Sequence, residues 1–131
     1  RSAQLGMKTA VVEQEEVGGV CLNWGCIPSK SLLRNAEVLN LVKNAEAYGI
    51  SFENLVYDYG MAIDRSRKVV KRLTTGVSYL LKKNGVDHIK GFGFLRSTNT
   101  VQVKGTDEYL KAKDVIIATG ARQRNIPSLA D

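Results

Sequence analysis

The chain has 131 residues, 44% of them hydrophobic and only 2 of them proline, a composition that suits one folded domain and excludes a disordered segment. No run approaches the roughly 18 apolar residues of a membrane span, and the length excludes a complete multidomain enzyme. Two cysteines are too few for a disulfide-dense secreted mini-protein, and a formal charge of +6 admits either an anionic ligand or nucleic acid as a partner.

In chain order, residues 3–6 read as the tail of a helix with Gly6 as its left-handed cap. Residues 8–13 form a short β-branched run of the kind found in buried parallel strands, ending in Glu13. A glycine-bearing loop, Gly18-Gly19, leads to Cys21 and Cys26. Pro28 and Ser29 mark the turn into a helix expected over residues 30–48, with Leu32, Ala36, Leu39 and Val42 on one stripe and Gly49 as the stop. Asp58 is placed to cap a second long helix running to residue 84, ended by Gly85. Short strands follow at 86–90, 92–95, 100–103 and 108–111, the last two joined as a hairpin by Lys104-Gly105-Thr106-Asp107. Residues 114–118 (DVIIA) read as a fully apolar strand that runs into Thr119-Gly120-Ala121. The pattern specifies an α/β fold with parallel strands, two long helices and a small β-hairpin or meander.

The densest basic stretch, Arg65, Arg67, Lys68, Lys71 and Arg72, falls on the second helix. Arg65, Lys68 and Arg72 share one face, and Val69, Leu73, Val77 and Leu80 share another, which describes a solvated helix face. No aromatic residue interleaves the charges to stack on bases, so nucleic acid is the weaker reading. Among the chemistry-bearing residues, the close cysteine pair suggests redox or metal chemistry more than structural stapling. A zinc site needs two further ligands, and His88, the single histidine, lies in an alternating stretch that reads as strand, so no metal is expected. Glu13 is positioned as the ribose-binding acid at the end of a second Rossmann strand. In that arrangement the glycine-rich turn precedes the acid by about 20 residues, which places it before Arg1. An acid at a strand end is also common without that role.

The run Gly18-Gly19-Val20-Cys21-Leu22-Asn23-Trp24-Gly25-Cys26-Ile27-Pro28-Ser29-Lys30 resembles the redox-active segment of the flavin-dependent pyridine nucleotide–disulfide oxidoreductases. Its CLNxGCIPSK wording leans toward the dihydrolipoamide-oxidising members, with the glutathione and mercuric reductases as related alternatives. The segments AQLGMKTAVVE, LTTG, KGFG and VIIATGA follow in the family's order, so the resemblance covers essentially the whole chain. It implies a Rossmann-like FAD-binding fold in which Cys21 and Cys26 form a redox-active disulfide. Cys21 is then the thiol that exchanges with dihydrolipoamide, and Cys26 the thiol that faces the flavin. Structural disulfide or inert thiols remain the plainer alternatives, as does a thiol-redox module without catalysis. Gly25 supplies the bend that lets a C-x4-C segment close.

The same resemblance implies cofactor contacts from Glu13, Gly18, Gly19, Val20, Lys30, Gly93, Thr119, Gly120 and Ala121, with Arg122 supporting the last turn. It implies FAD and NAD as cofactors and a homodimer. The partner is dihydrolipoamide carried on the lipoyl domains of 2-oxo acid dehydrogenase or glycine cleavage complexes. The compartment implied is the cytoplasm, or the mitochondrial matrix in a eukaryote. Residues 1–131 match part of an FAD-binding domain. The family's amino-terminal GxGxxG unit, NAD domain and interface domain are expected outside them. On their own these residues are expected to bind FAD weakly, and exposed apolar surface at Val11 and Ile116 is expected to favour association.

Overall fold

A computed structural model of the chain describes residues 1–107, 109–121 and 124–126. A 3₁₀ turn, Ala3–Leu5, opens it, and Gly6 closes that turn with φ +83° and its N–H on the Ala3 carbonyl. β1, Ala10–Glu13, is shorter than the run 8–13. The Thr9 hydroxyl bonds the Met7 carbonyl, so the chain turns locally before the ladder begins. β1 pairs in parallel with β2, Asp87–Lys90, from Ala10 opposite Asp87 to Glu13 opposite Lys90. His88 is a strand residue, facing Val11 across this ladder.

Between the two strands lie three helices. α1, Gly19–Asn23, and α2, Cys26–Lys43, begin within what the sequence suggests is loop. The expected start at residue 30 is wrong because a proline in the first turn costs no hydrogen bond: those N–H groups have no partner inside the helix. Pro28 therefore sits inside α2. The expected helical stretch 30–48 also divides. The Asn44 side chain bonds the Asn40 carbonyl at 2.8 Å, and a 3₁₀ turn, Ala45–Tyr48, takes over before Gly49 at φ +72°. α3, Tyr59–Lys83, matches its expected caps: the Asp58 carboxylate accepts the Met61 N–H at 3.2 Å, and Asn84 and Gly85 end the helix.

α2 and α3 cross where small residues let the backbones approach, with Ser31, Ala62 and Ser66 buried. Within the expected stripes, Ala36 is exposed on α2, and Leu73 and Leu80 are exposed on α3. Small side chains at the crossing replace those large ones as the packed surface.

Beyond β2 the chain forms an antiparallel meander of β3, Gly93–Ser97, β4, Thr100–Val103, and β5, Tyr109–Lys111. A register shift between Leu95 and Ser97 carries β3 past its expected end. The expected residue Glu108 lies outside the described residues. Val103, 1% exposed, is the centre of this layer, and Gly91 turns over it. Residues 114–118 form no strand: among the described residues they join neither sheet, and Ile116 is 85% exposed. An apolar run becomes a strand only where a neighbouring backbone takes its hydrogen bonds. Exposure of Ile116 agrees with expectation, whereas Val11, within the parallel pair, is half-buried. Among the described residues, no helix is long and apolar enough to cross a membrane.

Candidate functional site

The sequence around the cysteines folds as two helices that meet at a bend. Gly18 and Gly19 take φ of +110° and +72°, a conformation that other residues reach only at a cost, and so start α1 abruptly out of the preceding turn. Gly25 then reverses the chain. A side chain there would stand 3.0 Å from the Cys21 Cα and 3.1 Å from the Val20 carbonyl oxygen, so glycine lets the start of α2 lie directly on α1 without a shift of either backbone. The reversal brings the two Cα atoms to 4.7 Å, and Cys21 and Cys26 form a disulfide.

Both cysteines are exposed, so the bridge is open to an incoming thiol. Cys26 is the first residue of an 18-residue helix, where unpaired N–H groups and the helix dipole favour an anion. On reduction, that location favours the Cys26 thiolate. The Gly25 carbonyl is capped by the Ser29 hydroxyl at 2.9 Å. Lys30 lies four residues beyond Cys26 on α2, on the same helical face.

Of the residues singled out by sequence, the fold gathers Gly18, Gly19, Val20, Cys21, Cys26 and Lys30 into one continuous segment. Glu13 stands elsewhere, at the carboxyl end of β1, and Gly93 packs against the preceding strand residue Val12. There the Glu13 carboxylate accepts the Glu15 N–H at 2.9 Å, and the Glu13 carbonyl accepts the Gly91 N–H at 2.9 Å. A Cβ on Gly93 would stand 3.3 Å from Val101 and 3.4 Å from Val12, so packing between the two sheets leaves little room for a side chain there. Thr119, Gly120 and Ala121 lie on the exposed stretch that follows residues 114–118, with Gly120 at φ +76°. Among the described residues, no strand pairing holds them to either sheet. Arg122 lies outside the described residues.

Asn23, Ser31, Asn35, Arg65 and Ser66, to none of which the sequence assigns a supporting role, hold the disulfide helices in place. Asn23, 4% exposed, donates from Nδ2 to the carbonyls of Gly19 at 3.0 Å, Val17 at 3.2 Å and Glu16 at 3.4 Å. Arg65 Nη1 reaches across from α3 to Ser31 Oγ at 2.9 Å, Asn35 Oδ1 at 3.0 Å and the Ser31 carbonyl at 3.2 Å. Ser66 donates to the Pro28 carbonyl at 3.3 Å. Arg65 is exposed, as the solvated reading of the basic face expects, and its guanidinium also ties α3 to the second and third turns of α2. A signal for Asn23 exists in the sequence: asparagine is a poor helix former that favours bonding nearby backbone. Nothing local marks Arg65 or Ser66, whose partners lie 30 to 38 residues away.

The profile of the pyridine nucleotide-disulphide oxidoreductases matches residues 1–130. Among curated proteins, the chain is 50% identical over 132 residues to the dihydrolipoyl dehydrogenase of Zymomonas mobilis, covering 98% of this chain and 28% of that protein. It is 52% identical over 122 residues to the dihydrolipoyl dehydrogenase of Acholeplasma laidlawii, covering 92% and 36%. Among solved structures, the Cu(II) complex of the HOCl-induced flavoprotein disulfide reductase RclA from Escherichia coli superposes with a TM-score of 0.76. The two are 26% identical, and the match covers 96% of this chain and 25% of that one. The chain thus spans roughly a third of the length of the curated relatives it matches.

Proposed function

Since the chain belongs to the pyridine nucleotide-disulphide oxidoreductase family, we propose that it is the disulfide-bearing part of the FAD-binding domain of a dihydrolipoyl dehydrogenase. The observation that carries this reading is the exposed Cys21–Cys26 bridge at the junction of α1 and α2. Identity of 50% to dihydrolipoyl dehydrogenases against 26% to RclA favours dihydrolipoamide over a different disulfide as substrate.

In this reading a dihydrolipoamide thiolate attacks Cys21, opening the bridge to a mixed disulfide and releasing Cys26 as a thiolate. The second lipoyl thiol then attacks its own sulfur in the mixed disulfide. Lipoamide leaves, and both cysteines are left reduced. Two electrons have entered the protein, the proton of the second lipoyl thiol has passed to Cys21, and Cys26 is left as the thiolate. Release of Cys26 is favoured by its place at the helix amino terminus.

Separate features of the chain support a flavin dinucleotide as the cofactor. Glu13 ends a parallel strand, the direction a Gly19 side chain would take is open space, and Cys26 is exposed beside them in sequence. Glu13 is assigned to the adenosine ribose, Gly18, Gly19 and Val20 to the dinucleotide, and Lys30 to the flavin edge. Gly93, Thr119, Gly120 and Ala121 are assigned to the remaining contacts. When bound, FAD supplies the two-electron acceptor that links the dithiol to NAD. The assembly proposed is a cytoplasmic homodimer serving lipoyl domains of 2-oxo acid dehydrogenase or glycine cleavage complexes.

The test reads thiol exchange in residues 1–131, because NAD turnover draws on parts of the relatives that this chain does not span. Dihydrolipoamide is expected to convert the native chain to a form with two titratable thiols, and added FAD to give an absorbance band that changes with that reduction. A chain whose thiols appear only after unfolding in dithiothreitol overturns the proposal.

A further inference from the structure

α1 is five residues long, and helices below about 12 residues do not persist in water without help. In the oxidised chain, Cys21–Cys26 ties α1 to α2. When that bond opens, α1 must be held by something else if the Cys21 thiol is to stay where Cys26 can meet it. Asn23 is placed to do this. Its side chain, buried at the carboxyl end of α1, donates to carbonyls at and before the amino end, those of Glu16, Val17 and Gly19. Both ends of the short helix are thereby joined to the same turn, next to Val17, which is itself buried.

We propose that Asn23 is a positioning residue that sets the reduction potential of the Cys21–Cys26 pair, by holding α1 to the Glu16–Gly19 turn while the disulfide is open. This rests on the redox reading given above. The potential of a dithiol reflects how often its two sulfurs meet, and that frequency falls as the segment between them gains freedom. Without the Asn23 donors, the oxidised form stays tied through sulfur. The reduced form unravels and lets its carbonyls reach water. Reduction is then favoured, and the potential rises.

The experiment equilibrates the 131-residue chain in buffers of reduced and oxidised glutathione. Each turnover consumes the protein disulfide and two glutathione thiols, and yields two cysteine thiols and one glutathione disulfide. Alkylation and mass measurement give the oxidised fraction. Asn23→Ala and Asn23→Asp are each expected to favour the dithiol by about tenfold, which for this two-electron couple is about 30 mV. Val103→Ala, a core truncation in the antiparallel meander, is expected to lower stability and leave the potential unchanged, a separation that a merely structural role for Asn23 would not produce.

A second measurement needs no substitution. In the reduced native chain, the Asn23 side-chain amide protons are expected to exchange far more slowly than those of exposed Asn54, and this decides the matter if the variants fail to fold. Unchanged glutathione equilibria in folded variants, or exchange at Asn23 as fast as at Asn54, overturn the role of Asn23 while leaving the redox reading intact. A native disulfide that glutathione never opens overturns both.

Discussion

Gly25→Ala tests the geometry that closes the disulfide. The added carbon would stand 3.0 Å from the Cys21 Cα, 3.1 Å from the Val20 carbonyl oxygen and 3.4 Å from the Cys21 nitrogen. All three are backbone atoms, so no rotamer relieves the contact. Restoring 3.4 Å to the Cys21 Cα requires α1 to retreat by about 0.4 Å. The bridged Cα atoms now stand 4.7 Å apart, near the short end of the roughly 4.4–6.8 Å that disulfides tolerate, so a retreat of that size leaves the bridge able to close. The expected result is an oxidisable but less stable chain, with a loss of about 1–3 kcal/mol from overpacking. In the dithiol form α1 retreats without dragging Cys26, and less than half of that loss is expected. Urea unfolding of the oxidised and reduced chains, native against variant, measures both quantities. With a slope of about 1–3 kcal/mol per molar urea, the oxidised midpoint is expected to fall by about 1 M. Equal losses in the two redox forms, or none in the oxidised one, would refute the account of why glycine stands at this bend.

Gly91→Ala places a carbon 2.5 Å from Val103 Cγ1 at φ +155°, and strain plus overpacking predict a loss of about 2–5 kcal/mol. Adding Val103→Ala removes the opposing methyl, so the double variant is expected to lose less than the sum of the singles by at least about 1 kcal/mol. Additivity within about 0.5 kcal/mol in urea unfolding would show that Gly91 and Val103 do not oppose each other. Arg65→Ala and Ser66→Ala are each expected to cost about 1 kcal/mol by leaving α2 acceptors without their donor, and Arg65→Lys to recover less than half. A change within about 0.5 kcal/mol at Arg65, measured the same way, would refute its role in tying α3 to α2.

What the sequence made legible follows the range of the interactions involved. Caps and turns are read from neighbours in the chain, and there Gly6, Gly49, Asp58 and Gly85 each stand as their chemistry demands. The hairpin joining β4 to β5 and the strand setting of His88 came from local alternation and hold in the same way. Helix starts were misread where one rule had to be weighed against another: Pro28 looks like a boundary until the free N–H groups of a first helical turn are counted. Least legible was the support beneath the site. Ser31, Arg65 and Ser66 are polar residues on amphipathic helices, and their partners depend on how α2 crosses α3, which neither helix specifies alone.

The same distinction bears on the two halves of the proposed cofactor wall. The cysteine half is set by a chain reversal within one segment, Gly18 to Lys30, so its geometry follows from glycine conformations and two short helices. The half carrying Thr119, Gly120 and Ala121 depends on residues 114–118 finding a strand neighbour. Composition supplies the tendency, yet hydrogen bonds to a second backbone supply the strand. β1 shows both outcomes at once: along one edge it is paired residue for residue with β2, while among the described residues its other edge has no strand beside it. A backbone laid along that second edge would satisfy β1 and bury apolar surface of the kind that Ile116 and Ile117 expose. Cofactor contacts on the disulfide side are thus expected to depend on local substitutions such as Gly25→Ala, and those on the Thr119–Gly120–Ala121 side on completion of the sheet.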